Sequence, residues 1–215
     1  MRTATQQRDV VARIARTQTA HALEIARSID EPWYRCQALA IAAMFEVRLQ
    51  ARNRVIDESF AAACLLGEQN RIVSASAWPL KVLSLSKQWT RVEKETARLL
   101  RVISSEASPV RRSDALGLLF GAVVLAKREV AIRVARALAD SAFQALESSR
   151  RNSKGESRLS ACLPGIVRLD PDYGKELLEQ LSPSHKELAL HVIRNSGGVA
   201  LEKIIPWPHL ISPAV

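Results

Sequence analysis

Apolar residues recur every three or four positions along almost the whole chain, which is the spacing of one face of an α-helix. Val10, Val11, Ile14 and Ala15 form the first such group, and Leu23, Ala26 and Ile29 form the second. Ala38, Leu39, Ala42, Met44 and Phe45 mark a third, and a fourth spans about 54–66. Further groups lie near Arg71, over 92–103 on Val92, Leu99, Leu100 and Ile103, and over 130–146 on Val130, Val134, Ala135, Leu138, Ala142 and Leu146. The run from Ala115 to Ala126 is apolar on every side and predicts a helix buried all round. The pattern continues over 157–169, 173–181 and 185–195.

Punctuation divides these groups. Pro32, Pro109, Pro171 and Pro183 follow Glu31, Ser108, Asp170 and Ser182. Proline suits the first turn of a helix, where its missing N–H is no loss, and a Ser or Asp oxygen just before it can accept an orphan N–H. Gly67 is placed to end a helix in the left-handed conformation. Pro79 is expected to end or kink the helix that reaches it. The stretch RRNSKGES (150–157) reads as the clearest loop, and Gly197-Gly198 closes the last helix. This divides the chain into a helical unit over 1–198 and a tail over 199–215, whose Pro206, Pro208 and Pro213 exclude one long helix. The tail is expected either to cap the helices or to anchor a partner through Trp207.

The same pattern repeats at long range. LEIARSIDEPWYRCQAL (23–39) aligns with LRVISSEASPVRRSDAL (100–116), 77 residues on, in its proline, its arginine and its Ala-Leu pair. A third copy, with Pro183, Lys186 and Ala189-Leu190, follows after 74 residues. Weaker copies without the proline lie at 71–77 and 157–163, so the unit is about 37–39 residues: helix, turn, helix. A single unit cannot bury its apolar face, and stacking neighbours supplies the burial. In this the chain resembles the HEAT-like and tetratricopeptide-like helical-hairpin repeat proteins over roughly residues 8–196, with the longer period favouring the HEAT-like kind. The resemblance implies an all-α fold, a right-handed α-solenoid of antiparallel helix pairs. The alternative is an irregular multi-helix bundle.

Composition agrees with helix-on-helix packing. Hydrophobic residues make up 47% and aromatics only 5%, with eight glycines. Small apolar side chains let helices approach closely. The cysteines, Cys36, Cys64 and Cys162, are odd in number, lack CxxC spacing and sit among apolar residues, so they read as small buried hydrophobes in a reducing, cytoplasmic setting. Residues 1–14 show no apolar signal region, and Ala115 to Ala126 is too short to span a bilayer. The net charge is +9, of which residues 109–170 carry +5.

No motif for a phosphate loop, a dinucleotide fold, a hydrolase elbow or a zinc site appears. His185 and His191 are six apart and fall on different faces of a helix, and His21 with Glu24 reads as a surface pair. No metal or cofactor is expected. The best candidate for binding is the basic cluster of Arg111, Arg112, Lys127, Arg128, Arg133, Arg136, Arg150, Arg151, Lys154 and Arg158, which would contact phosphates if it gathers on one face. Trp33, Trp78 and Trp89 are candidates for an aromatic surface beside it. The leading expectation is a non-catalytic protein–protein interaction scaffold. The alternative is a basic-groove nucleic-acid binder, including a DNA-repair-type enzyme, because HEAT-like glycosylases combine such arrays with a Trp-lined cleft and an acidic residue.

Overall fold

A computed structural model describes residues 3–148, 154–196 and 199. Among them the chain is all-helical: α1 (Ala4–Ile14), α2 (Thr19–Arg27), α3 (Pro32–Phe45), α4 (Leu49–Cys64), α5 (Gln69–Leu85), α6 (Trp89–Ile103), α7 (Pro109–Val123), α8 (Arg128–Ser148), α9 (Lys154–Leu169), α10 (Pro171–Gln180) and α11 (Pro183–Asn195). Pro32, Pro109, Pro171 and Pro183 each open a helix. Ser108 and Asp170 accept the backbone N–H of Arg111 and Tyr173, as N-caps do. Gly67 ends the turn after α4 at φ +74°.

The main packing partners of each helix lie one or two places away in chain order. The odd-numbered helices form a continuous row, α1 on α3, α3 on α5, α5 on α7, α7 on α9 and α9 on α11. The even-numbered helices α2, α4, α6, α8 and α10 each rest on the two odd neighbours that flank them in sequence. This arrangement explains two kinds of sequence. An interior odd helix (α3, α5, α7 or α9) is surrounded by four others, and its sequence is apolar or small nearly all round: residues 73–84 of α5 are all buried, as are Leu116, Leu119, Phe120 and Val123 of α7. An even helix has one covered face, so α6 buries only Val92, Thr96, Leu99 and Ile103, at spacings of three and four. The helices also approach closely. A Cβ on Gly174 of α10 would stand 2.8 Å from the Cα of Val167 in α9.

Two expectations change, at Cys64 and at the stretch 150–157, and the choice left open at Pro79 narrows: it does not end α5, which continues from Gln69 to Leu85. The carbonyl that Pro79 leaves without an N–H is that of Ala75, and the Cys36 thiol donates to it from α3 at 3.3 Å. Cys36 and Cys162 are buried, but Cys64, the last residue of α4, is exposed. Of the stretch read as a loop at 150–157, Lys154 to Ser157 belong to α9. Gly155 there permits the close approach of α8: a Cβ would lie 3.0 Å from the backbone of Ala142. Arg150, Arg151 and the tail with Trp207 lie outside the described residues.

Candidate functional site

The basic cluster is built from three places in the helix row. Arg111 and Arg112 sit in the first turn of α7, Lys127 and Arg128 at the start of α8, and Lys154 and Arg158 at the start of α9. Arg133 and Arg136 lie on the exposed side of α8. The structure gives most of these cations a partner on another helix. Arg111 is 3.2 Å from Glu68, Lys127 3.8 Å from Glu93, Arg128 2.9 Å from Asp170 and Arg158 3.2 Å from Asp114. Arg112 donates to the Ser141 hydroxyl and the Glu106 carbonyl, each at 3.0 Å, and to the Gln144 side chain. Arg136 lies over the Tyr173 ring at 5.6 Å. Among the described residues only Arg133 and Lys154 of this cluster lack such a partner. A phosphate approaching the four paired cations therefore meets a carboxylate beside each of them, which cancels most of the attraction.

These pairs belong to a longer series. Along the odd row, Glu31 before α3 pairs with Arg71 of α5 at 3.9 Å, Glu68 before α5 with Arg111 of α7, and Asp114 of α7 with Arg158 of α9. At its ends, Arg8 of α1 donates to Gln37 of α3 at 2.9 Å, and His185 of α11 meets Glu156 of α9 at 3.2 Å. Along the even row, Arg27 of α2 pairs with Glu58 of α4 at 2.8 Å, and Asp57 of α4 with Arg91 of α6 at 2.5 Å. Glu93 of α6 then pairs with Lys127, and Arg128 of α8 with Asp170. Every step from one helix to the next in its row is thus bridged by a polar contact. The Arg27 guanidinium is held above its ordinary pKa chiefly by its hydrogen bond to Glu58. Each exposed pair is worth only about 0.2–1 kcal/mol, so the series sets register more than it adds stability.

Glu93 of α6 reaches across its row to Lys127, while Arg98 pairs within α6 with Glu95 at 2.7 Å. The partners Glu68, Asp114 and Asp170 carry no local signal, since they lie 42 to 44 residues from their cations. His21 and Glu24 do meet on the surface, at 3.4 Å. Of Trp33, Trp78 and Trp89, none is fully exposed. Trp78 is 3% exposed. Trp33 is half-buried against Cys36, Ala62, Ala63 and Ala75, beneath the Arg71 guanidinium, and Trp89 is half-buried against the main core.

The described residues line open cavities. One, of about 300 Å³, lies between α7 and α9 and is lined by Asp114, Lys154, Ser157, Arg158 and Ala161. Another, of about 460 Å³, lies along α1 against Gln6, Asp9, Val10 and Arg13. Among the described residues no group of three or more His, Cys, Asp or Glu gathers as a metal site, and no helix is long and apolar enough to cross a membrane. Comparison with known proteins returns nothing: no family model, no curated protein and no solved structure matches the chain.

Proposed function

We propose that the chain is a HEAT-like, right-handed α-solenoid of antiparallel helix pairs and serves as a protein–protein interaction scaffold. The observation that carries this reading is the series of polar bridges joining each helix to the next one in its row, from α1 to α11 and from α2 to α10. A bundle that closes on itself has no reason to repeat one kind of contact at every second helix, whereas a stacked array needs it at each step to hold register. The starts of α3, α5, α7, α9 and α11 fall at residues 32, 69, 109, 154 and 183, spacings of 37, 40, 45 and 29 that vary around the length of a two-helix unit. Such arrays offer long surfaces to extended partners. The pairing of Arg111, Lys127, Arg128 and Arg158 with carboxylates favours a protein partner over a phosphate backbone.

The test is photo-crosslinking from two positions of the full chain in cells: Ala161, on the cavity between α7 and α9, and Arg101, exposed on α6. The scaffold reading expects a discrete protein adduct from one position and none from the other. Crosslinks to nucleic acid, with duplex binding that collapses between 50 and about 200 mM salt, would transfer the chain to the basic-groove reading. The absence of any adduct at both positions would remove the support for a scaffold.

A further inference from the structure

Where α9 meets α11, three side chains stand in a row. Ser157 Oγ lies 3.1 Å from His185 Nε2, and His185 Nδ1 lies 3.2 Å from Glu156 Oε2. The other carboxylate oxygen of Glu156 accepts the backbone N–H of Ser182 at 2.6 Å, which holds the carboxylate from behind. Burial falls along the row: the Glu156 side chain is 4% exposed, that of His185 16%, and Ser157 is an exposed residue. Nδ1 also faces the Ser182 hydroxyl at 2.9 Å. In the tautomer with the proton on Nδ1, facing the carboxylate, Nε2 offers its lone pair to the Ser157 hydroxyl. A serine, a histidine turned toward it and a buried carboxylate behind the ring are the parts of an activated nucleophile.

The joint between the helices does not need Ser157. Glu156, Ser182 and His185 already satisfy one another across α9 and α11, whereas Ser157 lies on the solvent side and lines the cavity of about 300 Å³. Two cations line the same cavity. Arg158 is committed to Asp114, but Lys154, one helical turn before Ser157 on α9, has no acidic partner among the described residues. Its ammonium group is available to a negative charge developing on a substrate oxygen.

We propose that Ser157, His185 and Glu156 form a hydrolytic site for small carboxylic esters, an activity separate from the scaffold role. Ser157 Oγ adds to the ester carbonyl carbon while its proton passes to His185 Nε2, and the carbonyl oxygen takes up negative charge facing Lys154. The tetrahedral adduct collapses, the bond to the alkoxy oxygen breaks, and the alcohol leaves with the proton from His185. Water, deprotonated by the same nitrogen, then adds to the acyl-serine. The carboxylic acid departs and the Ser157 hydroxyl is restored. Glu156 acts through the ring as a positioning residue.

The experiment treats the full chain with an alkyl fluorophosphonate, in which serine forms a P–O bond, the P–F bond breaks and fluoride leaves. Intact mass and peptide mapping then locate the adduct. One adduct, on Ser157, is expected. Ser157→Ala should abolish it without moving the thermal midpoint, because the residue is exposed. His185→Gln should slow labelling about 100-fold or more. Glu156→Gln should also lose labelling while Glu156→Asp restores most of it, a rescue that a purely structural carboxylate would not give. A chain that stays unlabelled, or labelling that persists in Ser157→Ala or runs at full rate in His185→Gln, would overturn the proposal.

Discussion

The thiol of Cys36 substitutes for a missing backbone donor, and that role can be measured. Pro79 removes the N–H that would bond to the Ala75 carbonyl, and Cys36 supplies an S–H at 3.3 Å. Cys36 is fully buried. Replacing it with alanine removes one sulfur from the core, a burial loss of about 1 kcal/mol. It also orphans a buried carbonyl. Because S–H is a weak donor, that second cost falls near the low end of the usual range, about 1 kcal/mol. Cys36→Ala should therefore destabilise the chain by about 2 kcal/mol. In a Pro79→Ala background the residue at 79 regains its N–H and bonds Ala75 itself, so the same change at Cys36 should cost only about 1 kcal/mol. The double-mutant cycle, measured by urea unfolding followed by circular dichroism, should give a coupling energy of about 1 kcal/mol. Independent effects add to within about 0.4 kcal/mol, so a smaller coupling would refute the substitution of donors.

Other outcomes follow from burial and close approach. A disulfide reagent at neutral pH should modify one thiol rapidly, Cys64, because Cys36 and Cys162 are buried and their thiols are pushed up to about 12 by that burial. In the unfolded chain these thiols ionise near 8.5, so above about pH 9 the unfolded state holds fewer protons than the folded one. Stability should then fall as pH rises, by up to about 1.4 kcal/mol per pH unit per thiol, and Cys162→Ala should reduce the slope seen in denaturant titrations between pH 9 and 11. Gly174→Ala places a Cβ 2.8 Å from the Val167 backbone and should cost about 1–3 kcal/mol, read as a lower thermal midpoint. Ser108→Ala should cost about 1 kcal/mol and Ser182→Ala less, since only Ser108 caps its helix through the side chain.

How much of this was legible in the sequence depended on the range of the cause. The start of α7 could be read because Ser108 and Pro109 act on their own first turn. The inner face of α6 could be read because Val92, Leu99 and Ile103 share one helical stripe. The contact that compensates Pro79 within α5 could not, since the donor to the Ala75 carbonyl sits 39 residues earlier in sequence. Cys64 looked buried from its alanine neighbours, yet it occupies the exposed end of α4. The pairing of the basic cluster with Glu68, Glu93, Asp114 and Asp170 could not be read, because it depends on which helices stack. The Glu156–His185–Ser157 row was hidden for the same reason, as two adjacent residues meet a histidine from two helices later.

The proposed array stacks its helices in chain order without the ends meeting, and a distance between the ends tests it. Spin labels at Arg13→Cys on α1 and Arg194→Cys on α11, both exposed positions, can be introduced in a Cys64→Ser chain whose remaining thiols are buried. Five steps of about 8–10 Å along the odd row, shortened by curvature, place the labels about 35–45 Å apart. A pulsed dipolar measurement centred in that range supports the stacked array. A distance below about 20 Å would mean that α11 packs back near α1, and it would contradict the account.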